Sequence, residues 1–179
     1  MGDALFRRDN IREACGAYSR ALEARPSWWM ARLAVVRCGR FVGLPIDTLV
    51  KHAEFAVRAR PQIPATHLQF ALVLEEAGRR DHAIAAYEEA LRTHPKLAVA
   101  RFRLGILQSR AGRTHAARQN LEEVLNVRPD YMVARVHLTK VYEKLNLLRE
   151  AELSLKALVA TSRYPARALA RLIRFYDRH

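Results

Sequence analysis

The sequence predicts an all-α protein assembled from repeated helix-turn-helix pairs. Three observations carry that prediction. Pro26, Pro61, Pro95 and Pro129 are spaced 35, 34 and 34 residues apart. Ahead of each proline stands a set of small or apolar residues at offsets of four and seven, which share one face of a helix. The stretch "AVARFRLG" at 98–105 returns as "MVARVHLT" at 132–139, with the same Val-Ala-Arg 34 residues on. A period of this length marks one supersecondary unit that must stack on its neighbours to bury its apolar face.

The elements follow in order. Residues 1–28 form a partial unit whose helix carries Ala14, Tyr18 and Ala21 ahead of Pro26. The unit 29–63 carries Leu49, Ala53 and Ala56 ahead of Pro61, with an extra residue near "GLPID" at 43–47. In the unit 64–97 the first helix ends in Ala-Gly at Gly78, and Ala83, Tyr87 and Ala90 mark the second. The unit 98–131 repeats this with Gly112 and then Ala117, Leu121 and Val124. Glycine at these ends suits a helix C-cap and a tight turn, and each proline stops the second helix. The unit 132–165 departs, with Asn146 at the turn, Arg163 where proline is expected and Pro165 two residues late. Residues 166–179 predict a last, unpaired helix that covers the end of the array. Its Arg167, Arg171, Arg174 and Arg178 form one stripe, while Leu169, Leu172, Ile173 and Tyr176 are expected to face the preceding repeat.

On these residues the chain resembles the tetratricopeptide-repeat family. Members show Leu-Gly in the first helix and a turn glycine. Their second helix carries Ala, an aromatic four later, Ala three after that, and a closing Pro. Leu104-Gly105, Gly112, Ala117, Leu121 and Pro129 match best; Phe70-Ala71, Gly78, Ala83, Tyr87, Ala90 and Pro95 follow. Val35-Val36 and Thr139 depart from the Leu-Gly site, and Met1-Gly2 fall where that pair would be, with most of the first helix missing. The expectation is a fragment, or an end covered by another chain. The resemblance implies a right-handed superhelical solenoid, a single array over 1–179 with a C-terminal capping helix, its first helices lining a concave groove. Groove positions fall on Arg37, Leu68, Gln69, Leu72, Phe102, Arg103, Ile106, Val136, His137, Lys140 and Lys144. Taken as a further first helix, the terminal segment adds Arg167, Arg171 and Arg174. The groove is therefore expected to be apolar in the middle and basic at its C-terminal end. The Lys and Asn set of the carboxylate-clamp members is not present.

The formal charge is +13, and 26 of the 31 basic residues are arginine. Such a balance attracts acidic partners. There is no glycine-rich phosphate loop, no HExxH and no pair of histidines four apart, so no catalytic residue, cofactor or metal is expected. Cys15 and Cys38 sit at apolar helical positions and read as buried thiols, with a redox pair as the alternative. The paired glutamates 88–89 and 122–123 are expected to bond Arg101 and Arg135 between repeats. The predicted function is a non-enzymatic protein-interaction scaffold binding an acidic or amphipathic segment. The alternatives are an anionic polymer, either nucleic acid or acidic polysaccharide, and self-assembly through the uncapped N-terminal end. Few aromatics lie on the groove side, which disfavours nucleic acid. No stretch is long and apolar enough to span a membrane and no secretory signal is seen; with the arginine richness, a bacterial cytoplasm is the expected location.

Overall fold

In the computed structural model, residues 10–162 and 165–179 are described. They form ten helices and no strand: α1 (Ile11–Ala24), α2 (Trp29–Val42), α3 (Ile46–Ala59), α4 (Pro64–Glu76), α5 (Arg80–Thr93), α6 (Ala98–Arg110), α7 (Thr114–Val127), α8 (Met132–Lys144), α9 (Leu148–Thr161) and α10 (Pro165–Tyr176). The chain divides into two compact units, Met1–Pro95 and Lys96–His179. Within the first, α2 pairs with α3 and α4 with α5; within the second, α6 pairs with α7 and α8 with α9, and α10 packs on α9. The expectations placed on Met1-Gly2 and Arg163 lie outside the described residues.

The prolines act as the spacing requires. Each of α1, α3, α5 and α7 ends two residues before its proline, and the next helix starts three residues after it. The residue between helix and proline turns its N–H back to the carbonyl four earlier, as Arg60 does to Ala56 and Arg128 to Val124. The short turns within pairs need left-handed backbone: Gly43, Gly78 and Gly112 have φ of 78°, 72° and 78°, and Asn146 takes the same role at 57°. Asparagine tolerates that region better than other side chains, which is how this pair keeps its turn without glycine. The extra residue near "GLPID" lengthens α2 to 14 residues, against 13 in α4, α6 and α8. Thr139 fits the Leu-Gly site because its hydroxyl meets Ser154 at 3.0 Å. At Gly105, by contrast, a Cβ would come 3.0 Å from Leu121.

The second-helix sets form the core. Ala83, Tyr87 and Ala90 are fully buried, as are Ala117, Leu121 and Val124. Ala117, Leu121 and Val124 cluster with Ala134, Leu138 and Val141 across α7 and α8. The Tyr87 hydroxyl donates to Glu75 on α4 at 2.8 Å, so its burial leaves no polar orphan.

Four expectations are corrected. First, Arg135 does not pair with the glutamates. Its Nη2 donates to the Pro129 carbonyl at 2.9 Å, six residues back. Arg32 makes the same reach to Pro26 at 2.6 Å, and His67 Nε2 lies 2.7 Å from the Pro61 carbonyl. This register position therefore ties the inter-repeat turn to the next helix. Arg101, at the same position, meets Asn120 at 3.5 Å. Second, Glu89 pairs within its helix to Arg92 at 2.6 Å, and Glu122 to Arg118 at 3.1 Å. Glu122 does reach the next repeat, but by accepting from the Tyr142 hydroxyl at 2.9 Å and not from Arg135. Other bonds between repeats include Arg40 to Glu76, Arg79 to Asp47, Lys144 to Ser109 and Arg178 to Glu143. Third, α10 is turned from the expected face. Ala168 and Phe175 are buried, and Leu172 is half-buried against the same cluster, while Leu169 and Ile173 are about half exposed. Tyr176, also about half exposed, still reaches α9 as expected, its hydroxyl donating to Glu152 at 2.6 Å. The small Ala168 lets α10 sit close to α9, where Phe175 joins Ala151 and Leu155. Fourth, Cys15 and Cys38 are buried but not free. A disulfide joins them, with Cα atoms 5.5 Å apart.

Candidate functional site

The expected groove residues fall into two groups. Arg37 on α2 and Leu68, Gln69 and Leu72 on α4 belong to the first unit. Arg37 is exposed and the other three are half-buried. The rest lie in the second unit, where a concavity of about 1090 Å³ opens between α8 and α10. Lys140, Lys144, Arg171, Arg174 and Arg178 line it, with Glu143 as the one carboxylate side chain among its described residues. Val136 and the buried Leu155 add apolar wall.

Register explains the convergence. Lys140 and Arg174 are 34 residues apart, as are Lys144 and Arg178, so each pair holds equivalent places on successive first helices. The five cations are not equal. Lys144 Nζ is tied to the Ser109 carbonyl at 3.1 Å, and Arg178 to Glu143 at 3.3 Å. Among the described residues Arg174 spends only its Nε, on the Ala170 carbonyl of its own helix at 3.1 Å. Lys140 and Arg171 make no hydrogen bond or ion pair among the described residues. Three cations thus keep donors available to an anion, since Glu143 is already engaged.

His137 stands at the edge of this basic field. Its ring meets Phe102 edge-on at 5.7 Å, and Phe102 leans on Tyr131 at 4.9 Å. Burial, then Lys140, Arg110 and Arg171, hold its imidazolium below the usual pKa of 6.5. The three cations come from α8, α6 and α10, so the ring is faced by positive charge from each. Phe102 and Ile106 are 7% and 9% exposed and belong to the core, so they back the surface. Val99 and Val133, one repeat apart, are the exposed apolar residues beside them in sequence. Arg103 is half-buried on α6, and Arg167 is exposed on α10 outside the concavity. Glu143 and Tyr131 were not anticipated. The signal for Glu143 was its spacing of 35 from Arg178, which echoes the 36 between Arg40 and Glu76.

Paired helices in a fixed register, and a surface made by equivalent positions on successive first helices, define a helical-repeat protein. Tetratricopeptide-repeat models match residues 64–107 and 99–131. Solved structures agree in fold. MamA is 19% identical with a TM-score of 0.83, over 93% of this chain and 97% of that one. YrrB, described as a tetratricopeptide-repeat protein with an unusual peptide-binding site, is 18% identical with a TM-score of 0.78, over 95% and 87%. TTC0263, a thermophilic protein of Thermus thermophilus, is 17% identical with a TM-score of 0.67, over 98% and 95%. No curated protein sequence matches the chain. Residues 64–131 are thus tetratricopeptide repeats, and the described chain shares its all-α repeat fold with solved tetratricopeptide-repeat proteins. Among the described residues no helix is long and apolar enough to cross a membrane.

Proposed function

We propose that this protein is a non-enzymatic scaffold whose C-terminal unit takes an acidic, amphipathic segment of a partner protein. The observation that carries the proposal is the meeting of Lys140, Arg171 and Arg174 on one concavity whose only carboxylate side chain among the described residues, Glu143, is already paired. Exposed charge of one sign is tolerated in water, and a partner carboxylate converts it into charge-assisted hydrogen bonds. Val99, Val133 and Val136 supply apolar contact beside it, with Phe102 and Ile106 behind and Arg103 at hand. Arg167 adds long-range attraction from α10. Arg37, Leu68, Gln69 and Leu72 form a separate proposed patch on the first unit. The peptide-binding site in YrrB's description supports the class of ligand by analogy.

The test is fluorescence anisotropy with a labelled peptide alternating Leu or Val with Asp or Glu, against its Asn/Gln analogue. The acidic peptide binds at least about tenfold more tightly at low salt, and the difference shrinks as salt screens it. His137 adds a pH dependence. Burial and its cationic neighbours lower the free ring's pKa below 6.5, and a bound carboxylate raises it. Binding therefore takes up a proton. Affinity rises as pH falls through the bound-state value and levels off below the free-state one. Between pH 7.5 and 5.5 the peptide's own carboxylates stay ionised, and His137→Gln flattens the profile. Equal affinity for the two peptides contradicts the proposal, as does tighter binding of single-stranded DNA than of the acidic peptide.

A further inference from the structure

We propose that the Cys15–Cys38 disulfide is a redox latch that holds α1 against the first unit. The inference is independent of the basic concavity, since both cysteines lie in the other unit. It rests on how little else holds α1 among the described residues. Cys15 is its only buried side chain among the described residues. Ala14, Tyr18 and Ala21 occupy the offsets of Ala83, Tyr87 and Ala90, yet they are only half-buried where those three are fully buried. The comparable α3 buries Leu49, Val50, Ala53 and Ala56. Among the described helices α1 packs principally on α2 alone. A segment with few buried contacts opens at lower cost than the core. The covalent link joins it to Cys38, which shares one face of α2 with the buried Ala31 and Val35.

Both cysteines are buried, at 4% and 1% exposure, so exchange proceeds through openings of α1. The chemistry is ordinary thiol–disulfide exchange with an external dithiol. One dithiol thiolate attacks a protein sulfur, the S–S bond breaks, and the other cysteine leaves as a thiolate and takes up a proton. The second dithiol sulfur then displaces the first cysteine from the mixed disulfide. The dithiol departs as its own disulfide, having passed two electrons to the pair. Once reduced, α1 keeps only its half-buried contacts and detaches locally, uncovering the Ala31–Val35–Cys38 face of α2 while α4 and α5 stay folded. Because disulfides persist in oxidising compartments and not in a reducing cytosol, the state of α1 follows the redox surroundings.

Hydrogen exchange read by mass spectrometry on the whole chain tests this, with and without a phosphine reductant. Protein equilibrated with a glutathione couple, denatured and alkylated without reductant, presents no reactive thiol; after reduction it presents two. Amides of residues 11–24 then exchange at least tenfold faster, and those of α4 and α5 change less than twofold. Cys15→Ser, which leaves the α2 core intact, shows the fast α1 exchange and no response to reductant. Two reactive thiols after equilibration overturn the proposal. So does α1 protection that reduction leaves unchanged, or loss of protection across all of α2–α5.

Discussion

Replacing Arg171 and Arg174 together by glutamate weakens acidic-peptide binding on the order of 30–100-fold, near 2–3 kcal/mol. The effect is large because the change does more than remove two attractions. It places two carboxylates beside the partner's own. The fold tolerates the change. Arg171 makes no hydrogen bond or ion pair among the described residues, and Arg174 bonds only the Ala170 carbonyl of its own helix. Lys144 is a poorer probe, since its ammonium also ties α8 to Ser109 on α6. Arg167→Glu serves as the control for long-range attraction. It removes the same kind of charge from α10 but does not line the concavity, so it costs less than about threefold, and that cost vanishes at high salt. Isothermal titration of the double variant and of Arg167→Glu against the same peptide checks both numbers. Equal losses would assign the binding to net charge and not to this site.

Tyr87→Ala destabilises the first unit by about 3–5 kcal/mol, the range for deleting a buried aromatic. Tyr87 is fully buried, and its hydroxyl bonds Glu75. Tyr87→Phe keeps the ring and removes only that hydroxyl, which costs about 1–1.5 kcal/mol. Tyr18→Ala changes a residue of the same kind at the same offset, but one that is half-buried in α1, and costs about 1 kcal/mol or less. Urea denaturation followed by circular dichroism ranks the three. A Tyr18→Ala loss equal to that of Tyr87→Ala would mean that α1 is as well packed as α5.

That contrast shows what periodicity conveys. Offsets of four and seven located the second helices and their inward faces, because a helix repeats every 3.6 residues wherever it sits. The same offsets are silent on whether a neighbour completes the burial, so Tyr18 and Tyr87 looked alike. The basic concavity was legible through register, since Lys140 and Arg174 stand one period apart. The partner of Arg135, which does not line that concavity, was hidden by backbone chemistry. Arg135 spends its charge on a proline carbonyl, an acceptor that every residue carries and no charge pattern reveals. The face of α10 was misjudged because the helix offers two apolar stripes. Ala168 with Phe175 won over Leu169 with Ile173, since alanine permits the closer approach to α9. The disulfide joins residues 23 apart on different helices, a pairing set by how α1 lies on α2 and not by any spacing along one helix.

The most direct test is a binding footprint. Backbone amide spectra of the full chain, recorded during titration with the acidic amphipathic peptide, should shift at Lys140, Lys144, Arg171 and Arg174 and at Val136 and His137. Glu122, Leu153 and Glu150, which line a separate groove of about 320 Å³, should stay still. A saturating shift confined to α8 and α10, and lost in the Arg171/Arg174 double variant, is the predicted result. Shifts centred on the separate groove, or saturable binding that leaves α8 and α10 unperturbed, would contradict the account.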